Sequence, residues 1–240
     1  PVTEKPPVVQ RDYAMICSEF VAWISGLRAS NPFVLNMIKD MGIASSRHGA
    51  RLMTLFNLPE DLEQAPFDGF FIYNFRENEK LKQCSKPIIQ IDRDVLGFHS
   101  VTFDGERSMR QLADWIEQKG YCRPYFLFID HIHPKFKLNL WMLERLMQDK
   151  GIPMEIAFYN QDGAITGWDL DKEIDLIGQV TAKLVRRDVL PDLLICSNDC
   201  FAGMLQVELR KYGIQAGESD APGVIPLVGY DDIPYVPEAG

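Results

Sequence analysis

Residues 191–234 read as strand, helix, strand, and each strand leaves its apolar run through a cluster of hydrogen-bonding side chains. The first run, residues 193–196, stops at Ser197-Asn198-Asp199. A helical pattern follows, with Phe201, Leu205, Leu209 and Tyr212 spaced to share one face, and Gly213 ends it. The second run, residues 225–228, stops at Gly229-Tyr230-Asp231-Asp232. Continuous apolar strands joined by an amphipathic helix call for a parallel sheet covered on both faces. Ligands of such sheets bind outside the carboxyl ends of the strands, where Asn198 and Asp231 stand.

The same alternation runs through the chain. Residues 13–17, 51–56, 69–73, 87–91, 125–129 and 154–158 read as buried strands, with a short extended piece at 101–103. Helical periodicity places Phe33, Met37, Met41 and Ala44 inward over residues 32–49, with Ser30 or Asn31 as cap and Pro32 at the first helical position. It places Met109, Leu112, Ala113 and Ile116 inward before Gly120, puts a helix over 138–150, and turns Ile174, Ile177, Thr181 and Leu184 inward over 171–187. The fold class is α/β. Residues 21–29, with Trp23 and Arg28, form a long strand-exit loop, whereas 57–68 leave room for barely two helical turns.

A formal net charge of −9 at pH 7 argues against nucleic-acid binding through the general surface, because phosphate neutralisation needs clustered Lys and Arg. No window is apolar enough to span a bilayer, so no membrane partner is expected. The opening PVTEKPPVVQ has no apolar core for a signal peptide; residues 1–10 read as a linker. Cys17, Cys84, Cys122, Cys196 and Cys200 are odd in number and lie in apolar surroundings, which fits a reducing, cytoplasmic compartment.

Six segments in register carry a family resemblance. They are Ser30-Asn31-Pro32-Phe33, Asp68-Gly69, Ile91-Asp92-Arg93-Asp94-Val95, residues 101–104, Pro191-Asp192 leading into Ser197-Asn198-Asp199, and Val228-Gly229-Tyr230-Asp231-Asp232. Together they resemble the effector-binding domain of the LacI/GalR family of transcriptional regulators. The resemblance implies a type I periplasmic-binding-protein-like fold of two doubly wound lobes, residues 11–102 and 103–240, with a ligand cleft between them. It implies a cytoplasmic homodimer that binds a sugar or polyol effector and controls operator DNA through a helix-turn-helix not present in these residues. The alternative is a solute-binding protein of a sugar transport system.

Carried over by position, the resemblance makes Asp92 an acidic cleft residue, Asn198 an amide for ligand hydroxyls and Asp231 a carboxylate that does likewise. Acceptor-only carboxylates and a two-way amide together read the orientation of vicinal hydroxyls. Ser30 lies in the first matched segment, and Phe20, Trp23, Phe33 and Trp168 are aromatic candidates for the apolar side of a ring.

The chain departs from the family pattern in three places. Counting back from Gly151 puts Asn139 and Met142 where the family carries a clamping arginine and a glycine, so a charged effector would need Lys137, Arg93 or His131. The 57–68 segment is short and 21–29 looks inserted. The family's chain also continues past the matched Gly-Tyr-Asp-Asp, so the first lobe is expected to be incomplete in residues 1–240.

Simpler roles compete. Asn198 and Asp199 suit helix capping, Asp232 a turn, and Asp92 with Arg93 an ion pair. Asp130, His131 and His133 offer two metal donors on one face but no adjacent third, so no metal is expected. Cys196 and Cys200 read as buried free thiols. No phosphate-cradling glycine loop or GxSxG elbow occurs, so neither a cofactor nor catalysis is expected.

Overall fold

Short β-branched and aromatic runs too apolar for a solvated face pair with one another in parallel, and every strand pairing among the described residues is parallel. The computed structural model describes residues 10–17, 32–73, 79–92, 97–129, 134–159, 170–218 and 221–230. Two compact units, Pro1–Phe103 and Asp104–Gly240, each carry one five-stranded sheet.

Unit 1 contains β1 (Arg11–Ile16), α1 (Pro32–Arg47), β2 (Ala50–Leu55), β3 (Gly69–Tyr73), α2 (Glu79–Gln83), β4 (Ile88–Ile91) and β5 (His99–Val101), in sheet order β2-β1-β3-β4-β5. Unit 2 contains α3 (Gly105–Lys119), β6 (Pro124–Ile129), α4 (Pro134–Asp149), β7 (Glu155–Tyr159), α5 (Leu170–Leu184), β8 (Leu193–Cys196), α6 (Asp199–Lys211), β9 (Gln215–Gly217) and β10 (Val224–Val228), in order β7-β6-β8-β10-β9. Both are doubly wound.

In unit 2, α3 and α4 pack on one sheet face through Met109, Ala113, Ile116, Leu140, Leu143 and Met147, against Phe126, Phe128, Leu193 and Ile195. Helices α5 and α6 cover the other face through Ile177, Val180, Leu184, Phe201, Leu205 and Leu209, against Tyr125, Leu127, Leu194 and Cys196. Neighbouring strand residues thus point to opposite cores, the period-2 consequence of the pleat. Lys150 donates to Asp114 Oδ1 (2.8 Å) and Glu117 Oε2 (2.6 Å), joining the end of α4 to α3.

Two of the segments behind the family resemblance turn out to be folding devices. Asp68 Oδ2 accepts from the Asp12 backbone N–H (2.7 Å), and its own N–H donates to Asp12 O (2.6 Å), so the entry to β3 is pinned to β1. Gly69 follows because a Cβ there would lie 2.9 Å from Pro87 O. Unit 2 repeats the device: Asp192 accepts from the N–H groups of Cys122 (2.7 Å) and Arg123 (2.8 Å), pinning the entry to β8 beside β6.

Some helix faces differ from the periodicity reading. In α1 the inward stripe is Val34, Met37, Ile38 and Met41, on Met15 and Cys17, while Ala44 is exposed. Val34, Met37, Ile38 and Met41 meet the i, i+3, i+4, i+7 spacing and Phe33, Met37, Met41 and Ala44 the i, i+4, i+8, i+11 spacing of an overlapping stripe, so pattern alone does not choose between them. Ile174 (44 % exposed) and Tyr212 (51 % exposed), at the ends of their stripes, face solvent. Buried Thr181 satisfies its hydroxyl by donating to Ile177 O (2.8 Å). Helix α4 starts at Pro134 rather than 138, and α2 and β9 are additions to the sequence reading. Residues 57–68 hold turns instead of a helix, with Leu62 buried as their anchor.

In unit 1, hydrogen bonds from Arg51 hold the Asp12 carboxyl below its ordinary 3.8, and those from Ser85 hold Glu63 below 4.5. A carboxyl depressed in the folded state stabilises above its unfolded pKa and loses that contribution as pH falls through the folded value. Unit 1 is therefore expected to weaken as pH drops below about 4.5, with Asp12→Asn plus Glu63→Gln flattening the slope. Urea melts at pH 6, 4 and 3 followed by exchange-protected amides of unit 1 check this, and an unchanged slope in the double variant would count against it.

Candidate ligand-binding site

The winding of the unit 2 sheet reverses between β6 and β8, the position at which an open parallel sheet leaves a crevice. A cavity of about 200 Å³ lies there. Its floor is Phe126, Phe128, Ile195 and Cys196 from the strands; Met109, Leu112 and Leu140 close it from α3 and α4; and Ser108, Val228, Gly229 and Tyr230 are half-buried members of the lining. Two further residues, Asn139 and Ser197, are polar and over nine-tenths buried.

Ser197 leaves β8 with its N–H donated to Leu127 O (3.1 Å), but its hydroxyl has no hydrogen-bond partner. A buried hydroxyl in that condition is costly, and in a native fold it marks a position kept for another reason. Asn139 projects from the second turn of α4 toward the start of α3, where a Cβ on Gly105 would lie 2.4 Å from its Oδ1 and 2.9 Å from its Nδ2. Gly105→Ala therefore displaces a side-chain amide rather than backbone. It is expected to lower stability by only about 1 kcal/mol while moving Asn139 within the cavity. Chemical denaturation, with the Asn139 side-chain amide resonances as a second readout, checks both parts; unmoved resonances would sink the placement.

Asn198 is the N-cap of α6: its backbone is extended (φ −157°, ψ 170°) and its Oδ1 accepts from Phe201 N–H at 2.9 Å. The capping role is thus realised by that oxygen. Asp199 donates its N–H to Tyr230 O (3.0 Å), tying the exit of β10 to the first turn of α6. Burial and the Asp199 carboxylate both push the Cys196 thiol far up, and burial raises Cys17 to about 11, so neither supplies a thiolate at neutral pH. All five cysteines are free; Cys122 is exposed, unlike the apolar setting its neighbours imply.

In unit 1, Asp92 adopts φ +66°, a left-handed conformation that aspartate tolerates better than most residues, and its N–H donates to Val101 O (2.9 Å). Beside it Gln90, 2 % exposed, has an Oε1 without a partner. Among the described residues, each unit thus holds one unsatisfied buried side-chain oxygen near the carboxyl end of its sheet.

Phe20, Trp23, Ser30, Arg93, His131, His133, Trp168 and Asp231 lie outside the described residues, and Phe33 is placed only as backbone in the first turn of α1. Of the other residues singled out by sequence, the structure puts Asn139 in the lining of the unit 2 cavity, Asn198 at the N-cap of α6 without placing it in that lining, and Asp92 in unit 1. Sequence reasoning named Ser197 only as part of a polar strand exit, and it missed Gln90, Ser108, Met109 and Leu112 as site residues. The apolar ones carry no site signal because they read as ordinary core; Ser197 and Gln90 break otherwise apolar runs. No group of three metal-ligating side chains occurs among the described residues, and no described helix is long and apolar enough to cross a membrane.

No family model and no curated protein matches the chain by sequence. Solved structures do match it in shape. A regulatory protein of the LacI family from Chloroflexus aggregans shares 16 % identity at TM-score 0.66, over 93 % of this chain and 79 % of that one. The Cra transcriptional dual regulator from Pseudomonas putida, in complex with fructose 1-phosphate, shares 17 % at 0.64 over 90 % and 83 %. A periplasmic binding protein/LacI transcriptional regulator from Alkaliphilus metalliredigens, complexed with D-xylulofuranose, shares 13 % at 0.62 over 91 % and 77 %. The chain therefore has the α/β fold shared by LacI-family regulators and periplasmic binding proteins, the fold its six segments resemble.

Proposed function

We propose that this chain is the effector-binding domain of a sugar-responsive transcriptional regulator, a binding module rather than an enzyme. The observation that carries the reading is a cavity at the unit 2 switch point, the place where an open parallel sheet takes its ligand. It occurs on a fold whose neighbours are described with D-xylulofuranose and fructose 1-phosphate. Asn139 stands where the family resemblance expects an arginine, which favours a neutral polyol over a phosphorylated one. Five free cysteines support a cytoplasmic setting. Effector would bias the relative orientation of two units in a homodimer and so the operator affinity of an attached helix-turn-helix.

Calorimetric titration of the protein with neutral pentoses, hexoses and their glycosides tests the reading. A saturable one-site heat with at least one of them, reduced at least tenfold by Asp231→Ala, is the expected result; no saturable heat across the panel overturns it. The second reading, a transport solute-binding protein, draws on the neighbour described under both names. Operator binding that responds to the same sugar separates the two.

A further inference from the structure

We infer that the unit 2 cavity is a subsite for an uncharged, ring-sized, largely hydrocarbon group carrying one hydrogen-bonding atom, so that the effector is amphipathic rather than a bare or phosphorylated sugar. That this group belongs to an effector rests on the proposed function; the subsite rests on the cavity alone.

Size comes first. The space is about 200 Å³, and a dry apolar cavity of roughly 150 Å³ takes a benzene ring. A ring with a small substituent fits, and a disaccharide does not.

Chemistry narrows it further. The floor is Phe126, Phe128 and Ile195, roofed by Met109 and Leu140, all at least nine-tenths buried. The two phenylalanine rings lie with centroids 6.5 Å apart and planes 32° from parallel, an aromatic pair in the floor. Among the described lining residues no side chain is charged. The first-turn N–H groups that helix termini offer to anions are engaged at Arg107 by Asp104 Oδ1 (3.0 Å) and at Phe201 by Asn198 Oδ1. An anion entering here would lose its hydration without a partner charge. A bare sugar would bring hydroxyls on every edge to walls that are mostly carbon. Ser197 and Asn139 are the buried polar members of the lining, and the Ser197 hydroxyl, shielded and without a partner, turns to meet one hydrogen-bonding atom on the guest.

The experiment is an amide-resonance titration of the full chain with phenol, benzene, benzoate and D-ribose. Phenol is expected to give saturable shifts at Met109, Phe128 and Ser197, benzene the same pattern about tenfold more weakly, and benzoate or D-ribose no saturable shift at these positions. Ser197→Ala is expected to abolish the preference for phenol over benzene, and Leu140→Trp to abolish both by filling the space. Because Ser197→Ala only removes an atom, it keeps the test readable should the larger residue prevent folding. Absence of saturable phenol and benzene shifts, equal binding of benzoate, or an unchanged preference in Ser197→Ala overturns the subsite. Sugar binding without phenol binding removes the subsite and leaves the proposed function standing. Phenol binding with the whole sugar panel silent keeps the subsite and removes the sugar-effector reading.

Discussion

Gly229→Ala is expected to destabilise unit 2 by about 3 kcal/mol, the upper part of the range for overpacking a close contact, and to lower Tm by roughly 10 °C for a domain of this size. The glycine is required by space, since a Cβ would lie 1.9 Å from Asp199 Oδ1 and 2.8 Å from Asp199 Cα. The carboxylate can rotate away, but the Cα belongs to the first turn of α6 and moves only with the helix. The same displacement stretches the Asp199 N–H to Tyr230 O hydrogen bond that joins β10 to α6. Gly178, on α5, has nothing within 4 Å of its missing Cβ. Gly178→Ala is expected to stabilise by about 0.5–1 kcal/mol through helix propensity. Urea unfolding of both variants checks the contrast. A Gly229→Ala protein within about 0.5 kcal/mol of wild type, the usual range for an uninvolved surface site, would refute the steric account.

Phe201→Ala should have the larger effect, a loss of about 3–5 kcal/mol. The ring is fully buried in the core between α5, α6 and the sheet, among Leu205, Leu209, Ile177 and Val180, and its own N–H takes the Asn198 cap. Truncation leaves a void that surrounding strands on one side and α5 on the other cannot close without shifting. Tyr212 shares the same sequence stripe but is 51 % exposed, so Tyr212→Ala is expected to change stability by no more than about 0.5 kcal/mol. Equal losses in the two variants would show that α6 does not pack through this face.

That pair of residues also indicates how far the sequence could be read. The strands were legible because a parallel strand buried on both faces must be apolar along its length, as 69–73 and 193–196 are. Helices were legible as periods, but which of two apolar stripes faces inward, as in α1, depends on where the preceding strand delivers the chain. Strand β9, Gln-Ala-Gly, has no apolar run because it is a three-residue edge, and the charged α2 buries only Leu81. In the candidate site, Asn198 was visible as a polar strand exit and Asn139 through its spacing from Gly151. Met109 and Leu112 were not separable from core, since an apolar cavity wall and a packed core use the same residues. The segment Asp68-Gly69 and the pair Pro191-Asp192 reached the right fold for a reason other than ligand contact: they hold strands in order.

The contact made by the aspartate before β8 also has to wait on the ribosome. Its two acceptor bonds reach back 70 residues to Cys122 and 69 to Arg123. Translation at about 5–20 residues per second separates the two ends by roughly 4–14 s. During that interval β6 has emerged without the neighbour that will cover one of its edges, and its Tyr-Phe-Leu-Phe run is a target for chaperones or for another nascent chain. Among the described strand pairings, that of β6 with β8 spans the most sequence and so waits longest on synthesis.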